Sequence, residues 1–253
     1  MREDFPYGGV NHPQSNEVKP HLKKTWCLGP ITSAFLAQME QLLWLYLQPY
    51  DPEYPTVCFD ERPCFLIGEE IAARPMQRGE VRKEHYTYIK NGSCTLLAAI
   101  EPLTGRRLAQ VHTQRTKKEF TQFCQALAAA YPRAKKIRLV LDNLNTHNFS
   151  AFYENLPAAE AFALAQRFEF HYTPKCGSWL NRIEIEFSAV ARQCLDRRIP
   201  TQEQLEREVL QCIQERAEKK ILIHWQFSLE KARSKFTSHY ERVLQSGREG
   251  KET

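Results

Sequence analysis

Three acidic residues of this chain stand where a carboxylate can do chemistry. Asp60 ends the apolar run 56–59, and Asp142 ends the apolar run 137–141. Glu184 lies near the start of a stretch with helical spacing. A carboxylate at the end of a buried strand is costly unless it is paired or bound to a cation. These positions therefore predict a site for divalent metal ions, with Asp60, Asp142 and Glu184 as its ligands.

The chemistry of such a site is phosphoryl transfer. Two metal ions about 4 Å apart can activate a water molecule and stabilise a leaving oxygen. Carboxylate oxygens select hard cations, so we expect Mg²⁺ or Mn²⁺, and two such ions. Asp60 and Asp142 on neighbouring strands would lie side by side, and Glu184 would reach them from a helix packed at the edge of the sheet.

Glu186 competes with Glu184 for the third position. Residues two apart on a helix differ by about 200° in direction, so only one of the two can enter the site. Asn181 lies three residues before Glu184 and would share its face. Glu186 would then be more exposed or turned to another partner.

Composition sets broad limits. The chain has 253 residues, 42% of them hydrophobic, which suits one or two domains with a sizeable core. Its formal charge of +5 and pI of about 8.7 permit nucleic-acid binding without requiring it. No apolar run reaches the ~18 residues of a membrane span, and the N-terminus lacks the apolar core of a signal peptide. The eight cysteines form no CxxC pair. We therefore expect a cytoplasmic protein with reduced thiols and no zinc site.

Periodicity predicts an α/β fold with helices on a mixed sheet. Thr116 and Glu119 have the spacing of a helix capping box. Many charges over 68–85 indicate an exposed loop. The predicted strands are 55–60, 93–100, 106–112, 137–141 and 169–172. The predicted helices are 31–48, 116–130, 148–155, 157–167, one containing Glu184, and a charged helical region from about 201 with an interruption near 221–227.

Three segments resemble the mariner-superfamily transposases of bacterial insertion sequences. They are VCFDERP at 57–63, LDNLNTH at 141–147 and YTPKCGSWLNRIE at 172–184. The similarity extends from about Lys19 to about Tyr240, so it covers most of the chain.

The resemblance implies a ribonuclease H-like fold with a DDE-type catalytic triad. By it, Asp60, Asp142 and Glu184 are the three catalytic acids. The 41 residues between Asp142 and Glu184 are more than the compact spacing of mariner relatives. We expect the helices over 148–167 to absorb the excess.

The resemblance also implies the reaction and the partners. Metal-activated water hydrolyses a phosphodiester at the end of the mobile element, and the freed 3′-hydroxyl attacks target DNA at a TA dinucleotide. No covalent protein intermediate is needed, and neither a G-x-S-x-G nor a P-loop signature is present. DNA is the expected partner, and the protein is expected to act as a homodimer on it.

Relatives carry N-terminal helix-turn-helix modules, for which this sequence has no room. We therefore expect residues 1–25 to be an irregular remnant of a linker, 26–245 the catalytic domain with a helical C-terminal part, and 246–253 a disordered tail. The chain would then be half of a split gene product, a truncated copy or a trimmed version. A separate helix-turn-helix polypeptide would be a further partner.

Five more residues are candidates for contact with DNA: His147, Lys175, Ser178, Trp179 and Asn181. His147 would touch a phosphate or support the catalytic acids, or it is an ordinary histidine at a helix start. Trp179 would stack on a base or anchor its loop. A set of basic residues would contact phosphates or simply form a solvated face. These are Lys117, Lys118, Arg133, Lys135, Lys136, Arg197 and Arg198.

Two other functions remain open. The chain could be a transposase remnant that binds DNA or a partner subunit without cleaving. It could also be another ribonuclease H-like nuclease, for example one acting on RNA–DNA hybrids. As a bacterial transposase, it would work in the cytoplasm at the nucleoid.

Overall fold

The computed structural model describes residues 31–72, 78–79 and 85–249. The predicted segment 1–25 and much of the loop predicted over 68–85 lie outside these ranges. The described chain forms one five-stranded sheet in the order β3-β2-β1-β4-β5. The strands are β1 (Thr56–Glu69), β2 (Tyr88–Glu101), β3 (Arg106–His112), β4 (Ile137–Leu141) and β5 (Phe168–Tyr172).

The sheet is mixed, as predicted. Strand β2 runs antiparallel to both β1 and β3, whereas β4 runs parallel to both β1 and β5. The helices are α1 (Ser33–Leu47), α2 (Lys117–Ala130), α3 (Ser150–Asn155), α4 (Ala158–Gln166), α5 (Ile183–Gln193), α6 (Gln202–Glu218), α7 (Leu229–Lys235) and α8 (Thr237–Glu249). None of these helices is long and apolar enough to cross a membrane.

Each face of the sheet has its own hydrophobic core. Cys58 and Val140 point to the core that contains residues of α1, α5, α6 and α7. Phe59 and Leu139 point to the core formed with α2, α3 and α4. Because side chains alternate along a strand, neighbouring residues of one strand serve different cores. The predicted helices on a mixed sheet are therefore confirmed.

Strand β1 is much longer than predicted. The sequence predicts a strand over 55–60 that Asp60 ends, but β1 continues to Glu69 while paired with β2. Its pairing with β4 covers only Thr56–Cys58. Beyond that point β1 is not paired with β4, and Pro63, which has no N–H to donate, is tolerated where no strand of the described chain lies beside it. Asp60 thus marks the end of the neighbouring strand, not of its own.

Two helices, α3 and α4, lie between β4 and β5, within the stretch that separates Asp142 from Glu184. The chain leaves the sheet after β4, forms α3 and α4, and returns as β5 beside β4. The backbone N–H of Ile137 donates to the carbonyl of Arg167 (2.7 Å), which ties the end of this excursion to the start of β4.

The capping box at the start of α2 is confirmed. The Thr116 backbone N–H donates to the Glu119 carboxylate (2.8 Å), and the Thr116 hydroxyl accepts from Lys118. The cysteines within the described ranges are all free, as predicted. Cys27 lies outside these ranges.

The C-terminal boundary requires a correction. The interruption predicted near 221–227 is confirmed, since these residues form neither helix nor strand. The tail predicted as disordered over 246–253 begins within α8, which continues to Glu249. Helix α8 is held near its start, where the Tyr240 hydroxyl donates to Glu40 (2.7 Å).

Candidate active site

Asp60 and Asp142 lie side by side beyond the end of β4. The parallel register pairs Cys58 with Val140, so two residues further along Asp60 comes beside Asp142. Both residues are half-buried. The prediction that neighbouring strands bring these two acids together is confirmed.

Glu184 reaches this point from the first turn of α5, and Asn181 fixes where that helix starts. The Asn181 side-chain amide donates to the carbonyl of Phe59 (2.8 Å), and its oxygen accepts from the N–H of Ile183 (3.4 Å). The carbonyl of Phe59 directly precedes Asp60 in the chain. The start of α5 is therefore tied to β1 at the candidate site, and Glu184 is exposed beside it.

The three acids influence one another electrostatically. Burial raises the pKa of Asp60 to about 7; the N–H of Glu61 opposes this rise, while the negative charges of Asp142 and Glu184 add to it. Partial burial also raises the pKa of Glu184, against the effect of the Arg62 charge. Carboxylates gathered in this way favour binding of a cation among them.

His147 links Asp142 to a fourth acid, Glu61. Its Nδ1 lies 2.5 Å from Asp142 Oδ1, and its Nε2 lies 3.1 Å from Glu61 Oε1. Burial would lower the pKa of His147, but the hydrogen bonds and charges of Asp142 and Glu61 raise it to about 9. Since both nitrogens face carboxylate oxygens, the ring is an imidazolium that donates on both sides.

The His147 side chain is fully buried, so the predicted contact with a substrate phosphate is wrong. The alternative interpretation, support of the catalytic acids, fits its position. Asn181 is only 1% exposed and its amide is used within the fold, so the predicted contact of Asn181 with DNA is also wrong. The sequence suggested a shared helical face with Glu184, but Asn181 precedes α5 and points into the protein.

Lys175 and Ser178 are exposed at a cleft of about 590 Å³ that Asp142 also lines. The cleft lies where the chain leaves the carboxyl ends of β4 and β5, a usual place for ligand sites in such sheets. Trp179 is half-buried and packs edge-on against Phe227, with 5.3 Å between the ring centroids. The structure therefore favours the loop-anchor interpretation of Trp179, and leaves Lys175 and Ser178 available to a ligand.

Several predicted phosphate contacts are engaged within the protein. Lys117 pairs with Glu154, Lys135 with Glu53 and Arg197 with Glu208. For these residues the solvated-face interpretation is the better one, because each cation already has a carboxylate partner.

Glu186 is buried, with only 2% of its surface exposed, and it binds two arginines. Arg107 on β3 donates to its two oxygens at 2.8 and 3.0 Å, and Arg216 on α6 does so at 2.7 and 3.0 Å. Burial would raise the pKa of Glu186, but the hydrogen bonds from Arg216 and Arg107 hold it below its ordinary value. The expectation of another partner is confirmed, and this network locks α5 to β3 and α6.

Metal ligation by Asp60, Asp142 and Glu184 stays a prediction. Within 31–72, 78–79 and 85–249, no three His, Cys, Asp or Glu side chains are arranged to hold a metal ion as they stand. The donor set nevertheless fits Mg²⁺ or Mn²⁺, because it consists of carboxylate oxygens near one another. Glu184 is exposed, and its charge acts on Asp60.

Glu61 is the site residue that the sequence predictions missed. Consecutive residues of a strand point to opposite faces, so the pair Asp60-Glu61 places an acid on both sides of the sheet. A buried acid needs a cationic partner. That requirement could have directed attention to His147, which also ends the motif at 141–147.

The mixed five-stranded sheet flanked by helices is a ribonuclease H-like fold. Residues 55–206 match the family model described as DDE superfamily endonuclease, and the chain belongs to this family. The match includes Asp60, Asp142 and Glu184. No curated protein is significantly similar to the chain.

Solved structures of the Mos1 transposase share the fold. The paired-end complex with the left transposon end superposes with a TM-score of 0.53 at 12% identity, covering 81% of this chain and 63% of that chain. The strand transfer complex gives a TM-score of 0.50 at 11% identity, covering 80% and 64%. This chain thus spans less than two thirds of the length of either Mos1 chain.

Replacing Glu186 by Gln should destabilise the fold by about 3 kcal/mol, because two buried guanidinium groups lose their counter-charge. Urea denaturation at pH 7 measures the loss. The matched control is Glu208→Gln, whose partner Arg197 is half-exposed, and we expect a much smaller effect. Equal effects of the two substitutions would contradict the importance assigned to the Glu186 network.

Replacing Asp60 by Asn should stabilise the metal-free protein at pH 8 by about 2 kcal/mol, a discounted conversion of its pKa shift. The folded state raises the pKa of Asp60 from 3.8 to about 7, so the wild-type residue costs stability progressively across that interval. The gain should therefore be small near pH 4 and complete above pH 7. Urea denaturation in EDTA at several pH values measures it, with the exposed Asp196→Asn as control. A less stable Asp60→Asn variant at pH 8 would overturn this account.

Proposed function

We propose that this chain is the catalytic domain of a DNA transposase, which cleaves DNA and joins the freed end to a target. Asp60, Asp142 and Glu184 are its catalytic acids and hold Mg²⁺ or Mn²⁺, two ions in the complete site. Membership in the DDE superfamily endonuclease family supports this assignment.

One observation carries the proposal. Asp60, Asp142 and Glu184 come from β1, the end of β4 and α5, and Asp60 feels the negative charge of both others. Repulsion between these carboxylates destabilises the folded protein when no cation is bound. It is useful where a cation and a phosphodiester must be held, which supports a nuclease function.

The acids and the neighbouring cleft divide the work. A divalent ion bound there supplies activation of water and stabilises charge on the phosphate. Asp60 and Asp142 present carboxylate oxygens from a rigid sheet, while the exposed Glu184 completes the set from α5. Lys175 lies at the same cleft, where its positive charge would attract the DNA backbone.

The partners follow from the reaction. We propose that the substrate is DNA carrying the terminal inverted repeats of a mobile element, and that two copies of the protein act together on it. A separate helix-turn-helix polypeptide would supply recognition of the repeats. Such a protein would work at the nucleoid, in the cytoplasm of a bacterial cell.

A strand-cleavage assay tests the proposal. Wild type is expected to nick a labelled duplex carrying the terminal repeat in Mg²⁺ or Mn²⁺, alone or with the helix-turn-helix polypeptide added. Asp142→Asn should lose at least about 100-fold in rate, since loss of even an outer-shell partner of a metal costs 10- to 100-fold. Asp196→Asn, an exposed acid outside the site, should retain the wild-type rate.

An RNA–DNA hybrid and a duplex without the repeat complete the substrate panel. Preferential cleavage of the hybrid would identify a different ribonuclease H-like nuclease. Failure of the folded wild type to cleave any substrate, with or without the added polypeptide, would overturn the catalytic assignment and favour a remnant that only binds.

A further inference from the structure

We propose that Glu61 is the positioning residue for both catalytic aspartates, through its backbone to Asp60 and through His147 to Asp142. This inference rests on the proposed function, in which these aspartates hold a metal ion. Glu61 is not among the residues that line the cleft; it acts through its hydrogen bonds.

The backbone connection acts on Asp60. The N–H of Glu61 donates to Asp60 Oδ1 at 2.7 Å. The carbonyl of Pro55, just before β1, accepts from Arg138 of β4, and the N–H groups of every second residue after it, Glu61 included, point to the same side. Strand β4 ends before it can accept this hydrogen bond, and the Asp60 carboxylate accepts instead. One oxygen of Asp60 is thereby fixed.

The side-chain connection acts on Asp142. Glu61 Oε1 accepts from His147 Nε2 at 3.1 Å, and His147 Nδ1 donates to Asp142 Oδ1 at 2.5 Å. The His147 ring packs against Phe59 and Phe120, with centroids 5.3 and 4.9 Å away. Confined in this way, the ring transmits the position of Glu61 to the second aspartate.

The two connections engage one oxygen of each acid. Oδ1 of Asp60 and Oδ1 of Asp142 each take part in a hydrogen bond, which, within the part of the chain that the structure describes, leaves Oδ2 of each for a cation. Outer-shell hydrogen bonds of this kind orient metal ligands and raise metal affinity. Because the acids repel each other, fixed orientations matter more here than for an isolated carboxylate.

The buried Glu61 carboxylate also lowers the stability of the fold, which argues against a purely structural role. Its side chain is 2% exposed, and its Oε2 has no hydrogen-bond partner among the described residues. An unpartnered oxygen on a buried carboxylate costs stability. The hydrogen bond that Glu61 accepts from His147 offsets this cost, and an apolar residue could not accept it.

Mn²⁺ binding to the full chain without DNA tests the inference by isothermal titration calorimetry. Glu61→Gln keeps the backbone N–H and the side-chain shape, and it replaces the carboxylate partner of His147 by a neutral amide that binds the ring more weakly. We expect Mn²⁺ affinity to fall about 10-fold or more. Glu101→Gln is the matched control, since Glu101 is a 2% exposed carboxylate at the C-terminal end of β2 that bonds to Thr104 and not to the candidate site. Its affinity should equal that of wild type.

The route through His147 is tested by a double-mutant cycle. If Glu61 acts through that ring, the double variant Glu61→Gln/His147→Gln should bind Mn²⁺ as weakly as His147→Gln alone. Wild-type affinity in Glu61→Gln, with loss in Asp142→Asn, would overturn the inference while leaving the metal site intact. Additive losses in the double variant would also overturn it.

A metal-free measurement separates this inference from the proposed function. If wild type binds no Mn²⁺, the metal assignment fails, but coupling between residues 61 and 142 can still be measured by thermal unfolding in EDTA. We expect the effects of Glu61→Gln and Asp142→Asn on Tm to depart from additivity by about 2 °C or more. The departure should vanish in a His147→Gln background, and additivity in the wild-type background would refute the connection.

Discussion

Strand β4 is shorter than its neighbour β1, and the carboxylates of Asp60 and Asp142 repel each other beyond its end. The rest of the structure depends on this constraint. Strand β4 ends at Leu141, and β1 continues past it with Asp60 beside Asp142. An ordinary ladder would satisfy the β1 edge with another strand. Here Asp60 and Asp142 lie where that strand would be. The backbone N–H and C=O groups at the edge of β1 and the charges of the two acids must therefore find side-chain partners.

The neighbouring elements meet this requirement from both faces of the sheet. Asn181 donates to the Phe59 carbonyl, which a longer β4 would otherwise engage, and this contact fixes the start of α5. From the other face, His147 reaches Asp142. The double arginine clamp on Glu186 holds α5 at the distance that keeps Glu184 beside the aspartates. The contacts that give the backbone groups at the edge of β1 their hydrogen-bond partners thus also position the acids.

The sequence predicted the elements well where pattern and burial agree. Periodicity identified α2 with its capping box and the strands β3 and β4, because each has a local signature. It failed for β1 beyond Asp60, where pairing with β2 outweighs an unfavourable local pattern. The three acids could be proposed from the sequence, but the contacts of Asn181 and Glu61 could not. Those roles depend on where β4 ends relative to β1, which is a property of register and not of composition.

The excursion between β4 and β5 has a consequence for comparing sequences. The chain leaves the sheet at the end of β4 and returns as β5 beside β4. Helices α3 and α4 pack into the core on one face of the sheet, and α5 packs into the core on the other face. The length of the excursion can therefore change without altering the relation between Asp142 and Glu184. The number of residues between the second and third acids then depends on the length of the helical segment inserted between the strands. Proteins with quite different spacings can therefore place these acids in the same arrangement.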